Sequence, residues 1–363
     1  MFSLILFAIV LSVLILVHEW GHFFVAKRLG IRVERFSLGF GPKVLRFKGK
    51  ETEYQISWFP LGGYVKMAGE TKDEPLTGEK WEYLSRSVWE RFAVVFAGPF
   101  LNYLLAFFVF AVVFAIGNPQ ITSKIGKVME HYPAEAAGIR EGDRVLSVNG
   151  QKVKYWEEVT ALIHKTPKEG TVQVVVGRNE REVPFTLRPK TVEEKNLFGE
   201  QKEFALIGIS PSDEVVLVYY PLHQAIALAA KQVWQLTFLT FKAISRMLTG
   251  HLAMKESLTG PIGIFVITEQ AARLGIRYLL QMVGVLSASL AIFNVLPIPV
   301  LDGGHLFFLV LERLKGKPVS GRIQEVSQQV GMALLIGLML IVFYNDFSRF
   351  KVFEKVSHWF GGF

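Results

Sequence analysis

The sequence predicts a multi-pass α-helical membrane protein with about four transmembrane helices, a re-entrant β-hairpin region on the cytoplasmic side and one extracytoplasmic, mainly β domain. Its 363 residues are 51% hydrophobic, and the mean hydropathy of +0.33 is too high for an ordinary soluble protein. Long apolar stretches recur along the chain, but a charged and turn-rich segment separates the second from the third. Membrane spans and a folded polar part are therefore expected in the same chain.

Four stretches are long and apolar enough to cross a bilayer. They are residues 2–26, 93–116, about 278–295, and 330–344 with its flanks, the last being the shortest. Lysine and arginine cluster in two connecting segments, 27–50 and 313–322. The positive-inside rule places both segments in the cytoplasm, so both termini and the long stretch between the second and third spans are expected outside.

The first cytoplasmic segment alternates apolar and polar residues at 43–47 and 53–58, and the alternation resumes at 64–67 after glycines and a proline. This pattern predicts short β-hairpins. The tip is unusually apolar, with Trp58 and Phe59 among its residues, which predicts that it enters the membrane from the inner side. The alternative is a soluble hairpin packed on itself.

The segment between the second and third spans divides into two parts. Residues 121–211 predict a small soluble domain, with strands at 144–148, 172–176 and 183–187 and a helix at 155–164. Residues 222–248 have a long helical pattern that is too polar to span comfortably. This helix is expected to lie along the outer interface or to pack on the helical bundle.

The first span carries three ionisable residues, in the order His18-Glu19-Trp20-Gly21-His22. This is the pattern H-E-x-x-H, in which a four-residue spacing brings both imidazoles to one helix face, where they can reach one metal ion. Ionisable groups at membrane depth are costly unless they face a bundle interior, which argues against a chance occurrence or a merely structural histidine. A signal peptide is disfavoured because the stretch lacks a basic start and a cleavage site.

The third span ends in a second informative stretch, Asn294-Val295-Leu296-Pro297-Ile298-Pro299-Val300-Leu301-Asp302-Gly303-Gly304. Prolines and glycines break a helix, and broken backbone at membrane depth is tolerated only where protein or a polar cavity surrounds it. Asp302 either supplies a carboxylate to a functional site or caps the helix that follows. The predicted topology allows Asp302 to reach the depth of the His18 to His22 pentad, and two histidines with one carboxylate would leave a fourth tetrahedral position open.

Composition excludes several classes of protein. The absence of cysteine removes disulfides, thiolate zinc sites, iron–sulfur clusters and cysteine nucleophiles, so any metal must be held by His, Asp or Glu. The net charge of +8 could suggest nucleic-acid binding, but the basic residues flank the spans and form no nucleic-acid motif. No nucleic-acid partner is expected.

With H-E-x-x-H in the first span and N-x-x-P-x-P-x-L-D-G in the third, the chain resembles the site-2 protease family, in particular its bacterial regulator-of-sigma-E protease type. Further similar segments are 39–42, 60–67, 97–102 and 258–263. The resemblance implies one zinc ion per chain with His18, His22 and Asp302 as ligands and Glu19 as the catalytic base. It also implies a polar role near the substrate for Asn294, and substrate contacts from the re-entrant hairpin at Gly62, Gly63 and Tyr64.

Residues 133–150, with glycines at the expected turns, resemble a PDZ domain. Ile207, Gly208 and Ile209 resemble its peptide-binding strand, displaced to the end of the domain as in the circularly permuted bacterial form. Some members of the family carry two PDZ domains in tandem, whereas only one such glycine pattern fits here.

The resemblance also implies a location and partners. The implied location is the bacterial inner membrane, with the active site near the cytoplasmic side. The implied substrates are single-pass transmembrane proteins such as anti-sigma factors or remnant signal peptides. An upstream site-1-type protease is implied to act on them first. Two rival functions are a membrane scaffold that binds C-termini through the PDZ domain and a zinc transporter. Glu19 and Asp302 argue against the scaffold, and the single ligand set argues against the transporter.

The expected segments follow in chain order. They are a first span (1–27), a cytoplasmic and re-entrant region (28–92), a second span (93–117), the PDZ domain (119–211), an amphipathic or interfacial linker (212–276), a third span with the broken segment (277–314), a cytoplasmic loop (315–328), a fourth span (329–347) and an outer tail (348–363).

Overall fold

The computed structural model describes residues 2–70, 76–167, 170–195, 200–252 and 258–350. The end of the predicted outer tail and part of the predicted linker lie outside these residues. The chain divides into two compact units: a helical unit of residues 1–113, 222–241 and 254–363, and a β-rich unit of residues 114–221 and 242–253.

Four described helices are long and apolar enough to cross a membrane, which confirms the number predicted from the sequence. They are α1 (Phe2–Arg28), α2 (Val88–Ile116), α7 (Ile276–Val295) and α9 (Gly321–Arg349). The last has 29 residues, nearly twice the apolar stretch that predicted it, because its polar first turns continue the same helix. Which side of a membrane each end faces stays a prediction.

Three further helices complete the described part of the bundle. They are α5 (Leu222–Leu248), whose residues up to Phe241 belong to the helical unit, α6 (Pro261–Leu274) and α8 (Asp302–Lys315). At the start of α6, the buried Asp346 of α9 accepts hydrogen bonds from the backbone N–H groups of Gly260 and Gly263, at 3.2 and 2.9 Å. These bonds satisfy orphan donors of the first turn and tie α6 to α9.

Two long bent strands follow α1, where short hairpins were predicted. β1 (Val33–Lys48) and β2 (Glu53–Met67) pair antiparallel, but Phe36 is paired with both Tyr54 and Val65. The start of β2 therefore lies on one side of residues 35–38 and its end lies on the other. The result is a curled sheet of four short segments, in the order 43–48, 53–57, 35–38 and 63–67.

The β-rich unit has a four-stranded antiparallel sheet in the order β6-β5-β7-β8 and three small strand pairs. Its strands are β3 (Asn118–Ile121), β4 (Ile125–Val128), β5 (Arg144–Val148), β6 (Gln151–Lys152), β7 (Val172–Arg178), β8 (Arg181–Leu187), β9 (Lys190–Lys195), β10 (Gln201–Leu206), β11 (Ile209–Pro211) and β12 (Val215–Val218). The described part of this unit also contains the helices α3 (Pro133–Ala136) and α4 (Trp156–His164) and the end of α5, from residue 242. The predicted strands and the predicted helix of this region are confirmed. Alternate valines of β7 point into one core, where Val172, Val174 and Val176 are fully buried.

Candidate metal centre

Three ligand-type side chains converge inside the helical unit. Nε2 of His18 lies 3.2 Å from Nε2 of His22 and 3.0 Å from Oδ2 of Asp302. Nε2 of His22 lies 3.6 Å from the same oxygen. The two histidines come from successive turns of α1, as their four-residue spacing requires. The carboxylate comes from the first residue of α8, so the structure brings the two sequence motifs to one point.

The three side chains fit a zinc ion. Bonds of about 2.0–2.2 Å at tetrahedral angles place neighbouring ligand atoms about 3.3–3.6 Å apart, close to the distances found here. Oδ2 of Asp302 is buried without a hydrogen bond of good geometry, as expected for an oxygen that faces a cation. Three protein ligands and an open fourth position are the arrangement of a catalytic rather than a structural zinc site.

Helix α2 supplies both space and an outer partner to this centre. A Cβ atom at Gly98 would lie 2.3 Å from Nε2 of His22 and 3.0 Å from Cε1 of His18, so only glycine leaves room for the two imidazoles. Nδ1 of His22 donates to the carbonyl oxygen of Val94 at 2.9 Å. Because a carbonyl can only accept, Nδ1 carries the hydrogen and Nε2 is free to bind metal.

The backbone that carries Asp302 is folded back tightly on itself. Val300 has a φ of 86°, a conformation that is costly for a β-branched residue. A Cβ atom at Gly303 would lie 2.0 Å from the carbonyl oxygen of Leu296, so the return of the chain over the start of α8 requires glycine there. The N-cap of α8 is Leu301, and no side chain caps this helix. Asp302 thus directs its carboxylate at the histidines instead of capping.

Glu19 lies beside the ligands, where the end of β2 meets α1. A Cβ atom at Gly63 would be 2.9 Å from Cγ of Glu19, so the strand approaches this carboxylate as closely as a glycine allows. Glu19, Gly63 and Tyr64 line the same cavity as the three ligands, with a volume of about 910 Å³. The cavity gives the carboxylate room for a water molecule and for an extended peptide.

The lining of this cavity includes a buried ion pair. Arg91 of α2 donates two hydrogen bonds to the carboxylate of Glu312 in α8, at 3.2 and 2.5 Å, and the two side chains are only 10% and 12% exposed. Such a bidentate pair fixes the geometry of the two helices that carry Val94 and Asp302.

The remaining predicted site residues lie elsewhere. Gly62 precedes Gly63 in β2, and Asn294 is half-buried near the end of α7 and does not line the cavity. The segment predicted to bind peptide is part of the β-rich unit and not of the metal centre. In that segment Ile207 is buried in the core, Gly208 has a φ of 83°, and Ile209 pairs with Val128 of β4.

The contribution of α2 was not predicted from individual residues. Val94 contributes only a backbone carbonyl, which no side-chain pattern can reveal, and Gly98 contributes an absence of side chain. Asn102 could have been identified from the sequence, because a polar residue in the middle of an apolar span is expected to have a partner.

The comparisons with known proteins agree with this geometry. Peptidase family M50 matches residues 6–338. A protein of Agrobacterium fabrum that is named as a zinc metalloprotease is 35% identical, with 94% of each chain covered. The Escherichia coli regulator of sigma-E protease RseP is 32% identical, covering 94% of this chain and 98% of that one. Its alignment runs over 448 positions, so this relative has segments without a counterpart in the 363 residues here.

One solved structure, the PDZ domain of an SdrC-like protein from Listeria innocua, is similar to 26% of this chain at 23% identity and covers 96% of that domain. Its TM-score of 0.20 is too low to support a conclusion about the fold. The relatives and the family match carry the assignment. The chain belongs to Peptidase family M50, the site-2 protease family, and is a zinc-dependent metalloprotease.

Proposed function

We propose that this protein is an intramembrane endopeptidase that cleaves the transmembrane segments of single-pass membrane proteins, as in regulated intramembrane proteolysis. The observation that carries the proposal is the position of the catalytic groups. His18, Glu19 and His22 lie within α1, a helix of mean hydropathy 2.5 over its most apolar window, so the scissile bond must be brought to a membrane-embedded site.

His18, His22 and Asp302 would hold the zinc ion. When bound, zinc supplies Lewis-acid polarisation of the scissile carbonyl and of the attacking water. Glu19 accepts the proton from that water and delivers it to the nitrogen of the leaving amine. The Val94 carbonyl keeps His22 in the tautomer that this arrangement needs.

The end of β2 offers a place for the substrate. A transmembrane helix hides its carbonyls in internal hydrogen bonds, so the substrate must unwind before cleavage. Residues 63–65 pair on one side with 36–38, and no described strand pairs with their other side. A substrate segment added at this edge would recover its backbone hydrogen bonds beside Glu19. Gly62, Gly63 and Tyr64 would contact it by this route. Asn294 of α7 lies outside the lining of this cavity, so it would contact another part of the substrate.

The proposed setting is a bacterial inner membrane, with both termini and the β-rich unit outside and the zinc site near the cytoplasmic face. The basic residues of 27–50 and 313–322 support this orientation. The β-rich unit would act as a single PDZ domain, with Ile207, Gly208 and Ile209 in its binding strand, and would admit substrates already trimmed by an upstream protease. The names of the sigma-E relatives make an anti-sigma factor a reasonable first substrate to test.

The ligand set is tested by His18→Ala, His22→Ala and Asp302→Asn. Each should lower the zinc content of the purified full-length protein below one ion per chain and abolish cleavage of a single-span substrate, because a catalytic zinc site is typically held by three protein ligands and two would remain. Full zinc content and activity in Asp302→Asn would remove Asp302 from the set. Several zinc ions per wild-type chain without cleavage would favour the transporter instead.

The role of Glu19 is tested separately by Glu19→Gln. This change keeps the size of the side chain but removes the proton acceptor, so we expect one bound zinc per chain and a loss of about 10²–10⁴-fold in kcat. Zinc content by atomic absorption and cleavage by the same sample are measured together. Activity close to wild type would show that another group carries the proton.

A further inference from the structure

Asn102 is a fully buried polar residue in the middle of the apolar helix α2. An amide in such a place is costly unless it is hydrogen-bonded. Its Nδ2 atom lies 3.5 Å from Nδ1 of His18, while its Oδ1 atom has no hydrogen-bond partner among the described residues. The amide therefore faces the outer nitrogen of one of the proposed zinc ligands.

The chemistry of His18 decides which amide atom should face it. Nε2 of His18 points to His22 and Asp302, so in the metal-binding tautomer Nδ1 carries the hydrogen and must donate. An amide nitrogen cannot accept a hydrogen bond, whereas an amide oxygen can. Oxygen and nitrogen of an asparagine have nearly the same shape, and their assignment follows from the hydrogen-bond network. The network here favours the rotated amide, with Oδ1 facing His18.

The packing of α1 and α2 explains why Asn102 and His18 meet. Val94, Gly98 and Asn102 are spaced by four residues on one face of α2, just as His18 and His22 are on α1. Val94 meets His22 and Asn102 meets His18, so the two helices run antiparallel at this contact. Each histidine thus has an outer partner on α2, a backbone carbonyl for His22 and a side-chain amide for His18.

Asn102 is also tied to α7, the helix that leads towards Asp302. The hydroxyl of Ser287, which is fully buried, donates to the backbone carbonyl of Asn102 at 2.7 Å. One residue of α2 therefore contacts the helix that carries the histidines and the helix that precedes the carboxylate. The Ser287 bond involves only the backbone of Asn102, so the side-chain amide is left to face His18.

We propose that Asn102 is a positioning residue of the metal centre: its amide oxygen accepts the Nδ1–H hydrogen bond of His18 and orients the ring so that Nε2 faces the zinc ion. The proposal rests on the zinc ligand set proposed above. Outer partners of this kind fix the tautomer and ring orientation of a ligand, and their loss weakens metal affinity by about 10–100-fold.

The test measures zinc affinity, by chelator competition, on the full-length protein in detergent. Asn102→Leu keeps the size of the side chain but has no acceptor, and we expect its zinc affinity to fall about 10–100-fold. Asn102→Asp restores an acceptor and should keep the affinity within a few-fold of wild type. Ser287→Ala is the matched control, because it removes a hydrogen bond at the same junction without touching His18. It should lower the melting temperature and leave zinc affinity unchanged.

Two outcomes would overturn the proposal. One is a folded Asn102→Leu protein with wild-type zinc affinity. The other is an equal loss of zinc affinity in the Leu and Asp variants, which would indicate that Asn102 acts through packing and not through a hydrogen bond. If the Leu variant does not fold, Asn102→Ala replaces it. If neither folds, the cobalt(II) absorption spectrum of Asn102→Asp is compared with wild type, where a shift supports the contact and identity refutes it. His18→Ala separates the two proposals, because retained zinc in that variant would mean that the ligand set itself is wrong.

Discussion

At the scale of single residues, the metal centre depends as much on missing side chains as on present ones. Gly98 stands where a Cβ atom would meet both histidines, and Gly63 stands where it would meet Glu19. Close packing leaves no spare volume for an added methyl group unless its neighbours move. The neighbours here are the proposed zinc ligands and the proposed base, so an added methyl group that is tolerated elsewhere should lower zinc binding or activity.

Gly98→Ala tests this dependence. The added methyl group should push His22 away from its ligand position and lower zinc affinity at least about tenfold, similar to the loss of an outer partner. Gly337→Ala in α9 is the matched control, since a Cβ atom there meets nothing within 4 Å. Zinc affinity is measured for both full-length variants. Unchanged affinity in Gly98→Ala would show that the histidines can move aside at no cost.

At the scale of elements, the β-rich unit is held by a buried ion pair between the start of β5 and the end of β7. Asp143, whose side chain is 3% exposed, accepts hydrogen bonds from Nε and a terminal nitrogen of Arg178 at 2.8 and 2.6 Å. The backbone N–H of Arg140 donates to the same carboxylate at 2.8 Å. Burial by itself would raise the pKa of Asp143, but the bonds from Arg178 and Arg140 outweigh it and hold the pKa below its ordinary value.

Asp143→Ala should destabilise this unit by about 3 kcal/mol, because it leaves the Arg178 guanidinium without its buried partner. Glu214→Ala is the control. The side chains of Glu214 and its partner Arg144 are 37% and 43% exposed, so this ion pair should contribute less than about 1 kcal/mol to stability. Hydrogen exchange of strands β5 and β7 in the full-length protein reads out the loss locally. Equal protection in both variants would contradict this ranking.

The same pair predicts a pH dependence of stability. Because folding lowers the pKa of Asp143, the carboxylate stabilises the folded state fully above its ordinary pKa of 3.8, and this contribution is lost as the pH falls through the lower, folded value. The difference in unfolding free energy between wild type and Asp143→Asn should therefore be constant near neutral pH and shrink below about pH 4. A difference that grows on acidification would have the wrong sign for this mechanism.

At the scale of the whole molecule, the orientation in the membrane decides which side the active site serves. The basic segments predict that the hairpin region is cytoplasmic and that the β-rich unit is outside. The chain has no cysteine, so a single introduced thiol reports its own location without background.

Single cysteines at Glu157 and Lys48 test this orientation. Both positions are exposed, the first in α4 of the β-rich unit and the second at the end of β1. An impermeant maleimide added to intact spheroplasts should label Glu157→Cys and should label Lys48→Cys only after lysis. The reverse pattern would place the basic segments outside and invert the proposed topology.

The sequence by itself determined the features that depend on local order. Four long apolar helices follow from hydropathy alone, since a span needs about 20 consecutive apolar residues. The common face of His18 and His22 follows from the helical repeat, and three of the strands of the β-rich unit, β5, β7 and β8, follow from alternation and turn residues. Each of these signals lies within one short stretch of chain and needs no knowledge of its neighbours.

Only the tertiary structure decided how those stretches meet. The partners of His22 and His18 on α2 are 72 and 84 positions away in the sequence, and Asp302 comes from the far end of the chain. Glycines and a proline in this region predicted turns, but they did not predict that residues 35–38 pair with both ends of β2, the curl that brings Gly63 against Glu19. Helix and strand signals fix the direction of the backbone locally, whereas the distance between two side chains depends on every packed contact between them. For that reason the sequence allowed two roles for Asp302, a metal ligand or a helix cap. The fold decides between them by directing the carboxylate at the two histidines.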